Sequence, residues 1–218
     1  MVKPLLVIGN KNYSSWSLRA WLVARKAGLD FEEKRIPLDT PEFEANIETY
    51  SPSRRVPVLR DGDLLIWDSL AIAEYLNETH ANHTLWPENP QTRAIARSIT
   101  AEMHSGFATL RQSLPMNIRA RDRHVSSTPA LEQDITRVTT LWRECREQYG
   151  STGPWLFGAF SIADAFYAPV VFRFVTYGVS LGTVEQTYAE TVQGDRDIEA
   201  WVQAANAEVE TIPGEEVG

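Results

Sequence analysis

Nine residues, Ser51-Pro52-Ser53-Arg54-Arg55-Val56-Pro57-Val58-Leu59, constrain this chain more than any others. A loop of serine, proline and arginine runs into an apolar strand at Val56, yet Pro57 stands where a strand interior needs an N–H donor. Proline lacks that donor and is excluded from strand interiors, so Val56-Pro57 marks either an edge position or a cis peptide. A second apolar run, Leu64-Leu65-Ile66-Trp67, follows, and the intervening Asp61-Gly62 is a strong hairpin signal. Asp68-Ser69 then opens Leu70-Ala71-Ile72-Ala73-Glu74-Tyr75-Leu76, a helical pattern with polar caps at its start.

The segments on either side complete this frame. Leu5-Leu6-Val7-Ile8, closed by Gly9-Asn10, reads as a central strand buried on both faces. Ser14, Ser15 and Ser17 precede the apolar positions Leu18, Trp21 and Leu22, so the serines fall at a helix N-terminus, with Gly28 placed to stop the helix. Phe31 to Ile36 is a more polar strand near an edge. Pro41 fits the first turn of a short helix carrying Phe43 and Ile47. The order is βαβαββα over residues 1–80, a thioredoxin-like arrangement. Residues 81–90 read as a connector, and residues 91–218 as an all-helical domain. Within it, 91–114 has one amphipathic face (Ile95, Ile99, Met103, Phe107, Leu110, Leu114) and ends at Pro115. Arg119 to His124 reads as a solvated loop, Thr128-Pro129 starts a helix to Tyr149, and Ser161-Ile162-Ala163-Asp164 is a capping box. Thr183 and Asp195 open two more helices, and Thr211 to Gly218 reads as a loose tail.

Composition removes several classes of function. A net charge of −8 argues against a general binder of nucleic acid or anionic membranes. The single cysteine, Cys145, excludes an intramolecular disulfide and any paired-cysteine metal or redox motif. It reads as a small buried hydrophobe. With no run of about 18 apolar residues and no secretory signal, the expectation is an intact, soluble, cytoplasmic protein without a metal. The seven tryptophans read as core.

Val56-Pro57, the hairpin and Asp68-Ser69-Leu-Ala-Ile-Ala-Glu-Tyr-Leu together resemble the glutathione-binding half of the cytosolic glutathione transferase superfamily. Ser14-Ser15-Trp16-Ser17-Leu18-Arg19 resembles the serine-serine-cysteine-serine-x-arginine motif of its zeta class, the maleylacetoacetate isomerases, with Trp16 in the cysteine's place. The resemblance implies a cis Val56–Pro57 bond and glutathione as co-substrate, contacted by Arg55, Val56, Pro57, Asp68 and Ser69. Arg54 is the other basic candidate beside Val-Pro. It implies that Ser14 faces the glutathione sulfur as the catalytic residue, with Ser15 and Tyr13 as alternatives. Met103, His104, Phe107 and Arg111 would line the pocket of a small hydrophobic electrophile, unless they are simply core and surface. A homodimer is also implied. Three functions stay open: conjugation in detoxification, glutathione-dependent cis–trans isomerisation, and a non-catalytic binding or regulatory role.

The chemistry explains why serines matter here. A free thiol has a pKa of about 8.5 and is only a few per cent thiolate at neutral pH. Lowering that pKa by two takes roughly 2.7 kcal/mol of preferential thiolate stabilisation. A hydrogen bond to a charged group supplies about 1.5–3 kcal/mol and a helix N-terminus about 0.3–1 more. A serine at the start of a helix can supply both, although serine there also serves simply as a cap.

Overall fold

The computed structural model describes residues 3–218. Four strands form one sheet in the order β2-β1-β3-β4, from β1 (Leu5–Ile8), β2 (Glu32–Arg35), β3 (Val58–Asp61) and β4 (Leu64–Trp67). β1 pairs parallel with β2, Leu5 opposite Glu32, and antiparallel with β3, Leu6 opposite Leu59. Its alternation divides the core: Leu6 and Ile8 join the main cluster, while Val7 meets Ile36 and Val58 on the other face. Charged β2 takes an edge, where polar side chains discourage further pairing. The hairpin β3–β4 turns at Gly62, whose φ of 59° suits glycine. The Val56–Pro57 peptide is cis, and the strand proper begins at Val58, so no ladder donor is required of the proline.

Three helices complete this half: α1 (Ser15–Lys26), α2 (Pro41–Tyr50) and α3 (Ser69–Thr79). Six more follow: α4 (Pro90–Ser105), α5 (Ala108–Ser113), α6 (Pro129–Tyr149), α7 (Ile162–Thr176), α8 (Thr183–Gln193) and α9 (Arg196–Ala207). α7 is the axis of the helical part. All its residues except Val175 are buried, because an apolar sequence on every side of a helix demands packing on every side. It contacts α4, α8 and, across the molecule, α1. Asp164 closes the expected capping box, accepting from Ser161 N at 2.8 Å and Ser161 Oγ at 2.9 Å. Cys145 is buried, which pushes its thiol up to about 12.

Three expectations are corrected. The helix expected over 91–114 is two helices: Gly106 leaves α4 in an extended conformation and Phe107 follows at φ 54°. A Cβ on Gly106 would lie 2.7 Å from the Glu102 carbonyl oxygen, so the break sits where only glycine fits. The tail is not loose. Within residues 211–218, Glu216 accepts from Tyr13 Oη (2.6 Å) and Asn117 Nδ2 (2.8 Å) and Ile212 is buried; just before them, Glu208 accepts from the N–H groups of Lys11 (2.7 Å) and Asn12 (3.0 Å). Nor is Arg119 a solvated loop residue, since Nη2 donates to the Glu210 carbonyl at 2.6 Å and to Tyr13 Oη at 3.0 Å. Among the described residues no helix is long and apolar enough to cross a membrane.

Candidate active site

A cleft of about 570 Å³ opens where the loop before β3, the end of β4 and the start of α3 face α1, α4 and α5. Arg55, Val56, Pro57, Asp68 and Ser69 all line it. The turn before β3 separates the two arginines. Arg54, at φ 56°, turns outward to Glu44 and Glu48, whereas the Arg55 guanidinium meets no acceptor among the described residues. Ser51 fixes this turn, accepting from Arg55 N at 3.2 Å and donating to Arg55 O at 2.7 Å.

Asp68 and Ser69 share the head of α3 in different ways. Asp68 is the cap: Oδ1 accepts from Leu70 N at 2.8 Å and Ala71 N at 3.4 Å. Its φ of 77° is costly for a residue with a side chain, a conformation that collects at functional positions. The other oxygen, Oδ2, lies 3.3 Å from His104 Nε2 of α4. Ser69 is 1% exposed, and its hydroxyl has no hydrogen-bond partner. A buried, unpartnered hydroxyl at a helix start, where the helix dipole favours negative charge, suits an anion even though Asp68 already caps the N–H groups of Leu70 and Ala71.

A second chamber of about 390 Å³ adjoins the first, and Trp16 and Arg111 line both. Tyr13, Ser14 and Ser15 open onto this second space. Ser14 is the N-cap of α1, donating from Oγ to Ser17 Oγ at 2.8 Å and accepting from Ser17 N at 3.3 Å. The Tyr13 hydroxyl is engaged by Glu216 and Arg119, away from the cleft. Ser15 Oγ accepts from Arg173 Nη2 at 3.3 Å.

Of the four residues expected to line the electrophile pocket, two reach the cleft, His104 and Arg111. Met103, on the neighbouring face of α4, is fully buried core. Phe107, displaced by the break at Gly106, borders a separate groove against α6. Burial, aided by Arg19 and Arg111, holds the His104 imidazole below its ordinary 6.5 against the opposing pull of Asp68. Arg19 lies behind the cleft, 1% exposed, with its guanidinium 4.4 Å from the Trp16 ring centre and Nε and Nη1 unpartnered. Burial, then the fields of Arg173 and Arg111, lower it to about 9, so it stays cationic at neutral pH.

The tryptophans are not all core: Trp16 and Trp67 line the cleft. Trp16 meets His104 edge to face, with ring centres 5.3 Å apart. Its place in the cysteine position of the serine motif was the available signal. Among the described residues no cluster of three or more metal-ligating side chains occurs.

Two models of one family match along the chain in order. They are Glutathione S-transferase, N-terminal domain, over residues 13–79, and Glutathione S-transferase, C-terminal domain, over residues 128–204. The chain belongs to the glutathione S-transferase family. It is similar to maleylacetoacetate isomerase of Rattus norvegicus, 36% identical over 111 residues, 50% of either chain. Glutathione S-transferase Z2 of Arabidopsis thaliana is 28% identical over 173 residues, 74% of either chain. The chain thus spans about half the length of the first curated relatives it matches. Among solved structures, a glutathione transferase homolog from Burkholderia GL BGR1 with bound glutathione has a TM-score of 0.72 at 24% identity, over 94% of this chain and 100% of that one. That likeness shows the shared fold.

Proposed function

We propose that the protein is a glutathione-dependent transferase that binds the tripeptide in the cleft of Arg55, Val56, Pro57, Asp68 and Ser69. The observation that carries this reading is the buried, unpartnered hydroxyl of Ser69 at the head of α3. Glutathione brings two carboxylates and one ammonium. The Ser69 hydroxyl at the head of α3 suits the γ-glutamyl carboxylate, Asp68 its ammonium and Arg55 the glycyl carboxylate. The cysteinyl part then lies along Val56, and its thiol points to the serine-bearing head of α1, where Ser14 was the expected partner. Arg111 and Arg173 add positive potential that favours the thiolate. The anion attacks an electrophilic carbon bound beside Trp16, a C–S bond forms, and either a leaving group departs or the adduct takes a proton from water.

A second reading, cis–trans isomerisation, is favoured by the two guanidinium groups of the second chamber, Arg111 and Arg173, which suit an anionic substrate. There the thiolate would add to an unsaturated acid and leave again after bond rotation. The zeta-class and isomerase names of the relatives fit both readings.

The test is a substrate panel with glutathione: aryl halides, α,β-unsaturated ketones and cis-unsaturated keto acids. Loss of free thiol with the first two supports conjugation. Conversion of the acids without thiol loss supports isomerisation, and inertness to all three would leave a binding protein. We also propose a homodimer, supported by the exposed apolar side chains Leu64 and Trp67 of β4 and Ile95 of α4. Sedimentation showing only monomer at micromolar concentration would refute it.

A further inference from the structure

The second chamber carries charges that its own walls do not pair. Arg173 is 6% exposed and fixed from behind: Nη1 donates to the Arg111 carbonyl at 3.0 Å and to that of Leu114, and Nη2 donates to Ser15 Oγ at 3.3 Å. All three acceptors are neutral. Burial lowers this guanidinium to about 10, against the pull of Glu215, so it stays cationic at neutral pH. The Arg111 guanidinium lies 5.4 Å from the Trp16 ring centre, and its Nε is buried without a partner. Two guanidinium groups in partly desolvated space without a paired anion favour an anionic occupant.

One carboxylate lines the same chamber, that of Glu215, and the strap puts it there. Residues Pro213–Glu215 form a short helical turn, closed by Glu215 N donating to Ile212 O at 2.9 Å. The turn is anchored on both sides. Ile212 is buried before it, and after it Glu216 accepts from Tyr13 Oη and Asn117 Nδ2 and pairs with Arg123. The Glu215 carboxylate itself makes no hydrogen bond or ion pair among the described residues, so the backbone around it sets its place. Burial raises its carboxyl, Arg173 opposes that rise in favour of the ionised form, and Asp39 adds to it. Arg111, Arg173 and Glu215 together leave the chamber with one net positive charge, where the arginines alone would leave two.

We propose that Glu215 is a specificity-determining residue that limits the second chamber to substrates bearing a single carboxylate. This rests on glutathione occupying the cleft, with the group carried on its sulfur reaching the second chamber past Trp16, which lines both spaces. The first carboxylate of a substrate meets the two guanidinium groups. A second would face Glu215 with no cation left to match it, and like charges in partly buried space repel more strongly than exposed ones do.

The test uses the full chain and ligands that need no turnover. Calorimetry at neutral pH measures glutathione, S-benzylglutathione, S-(4-carboxybenzyl)glutathione and S-(3,5-dicarboxybenzyl)glutathione against wild type, Glu215→Gln and Glu215→Asp. In wild type the monocarboxylate is expected to bind tightest of the three benzyl ligands. Glu215→Gln should tighten the dicarboxylate by about tenfold relative to the uncharged ligand, the removal of one nearby like charge. Glu215→Asp keeps the wild-type ranking, and a thermal melt of Glu215→Gln matches wild type because its carboxylate has no partner to lose. A ranking that Glu215→Gln leaves unchanged overturns the proposal, as does a variant that weakens all three ligands alike. Wild type that prefers the uncharged or the doubly charged ligand overturns it too. If glutathione binds and no benzyl derivative does, the proposal fails while the cleft reading stands. If glutathione does not bind, both fail.

Discussion

Ser69 holds a hydroxyl that the free protein does not use. Burying a polar group without a partner costs free energy, so Ser69→Ala is expected to leave the melting temperature unchanged or slightly higher. If the hydroxyl waits for a carboxylate, the same change weakens glutathione binding by about tenfold or more, the worth of one hydrogen bond to a charge. Calorimetric titration beside a thermal melt measures both. A drop in stability with intact affinity would mark Ser69 as structural. Asp68-Ser69 and Val56-Pro57 were legible in sequence because caps and prolines act locally. The Asp68–His104 contact was not, because it joins the head of α3 to a helix 36 positions on, and no local pattern encodes that approach.

At the scale of elements, the head of α7 depends on one carboxylate. Asp164 also accepts from Leu156 N at 3.1 Å, so Asp164→Ala strands three buried donors. The expected cost is at least about 2–3 kcal/mol, seen as a melting temperature lower by roughly 5–10 °C. Glutathione affinity per folded molecule should be unchanged; a selective loss of affinity would show that the cap shapes the cleft. Burial raises the Asp164 carboxyl from 3.8 to about 6, against the opposing hydrogen bonds from Leu156 and Ser161. A raised folded-state value means that the native state holds the proton more tightly than the unfolded chain does. The resulting stabilisation is full below pH 3.8 and is lost as pH rises through about 6. Asp164→Asn should remove that part of the stability-versus-pH slope between pH 4 and 7, measured by denaturant titration; an unaltered slope would mean the carboxyl titrates normally. This cap was readable from Ser161 and Asp164 alone. The break between α4 and α5 was not, because Phe107 and Leu110 keep the apolar spacing across Gly106 and periodicity ignores a single backbone exit.

Over the whole molecule, the element order βαβαββα and the helical remainder followed from the run of apolar patterns, each of which names its own period. The closing of the chain on itself did not. Residues 208–216 bind Lys11, Asn12 and Tyr13 nearly two hundred positions away, through carboxylates that look like ordinary tail charges in sequence. Glu216→Ala is expected to free this strap: amide protons of residues 211–218 would exchange faster and stability would fall by about 1–3 kcal/mol, the cost of leaving its buried donors unmatched. Unchanged exchange would mean that Glu208 and Arg119 hold the tail alone. The strap and α1 meet at the second chamber, so the head of α1 is braced by both ends of the chain.

The central claim is that glutathione lies in this cleft with its sulfur at the head of α1, and a crystal structure of the protein grown with reduced glutathione tests it most directly. The expected result is the γ-glutamyl carboxylate on Ser69 Oγ, the cysteinyl backbone along Val56 and the sulfur at the serine-bearing head of α1, beside Ser14 or Ser15. A tripeptide bound elsewhere, or one whose sulfur points away from the α1 serines, would contradict it.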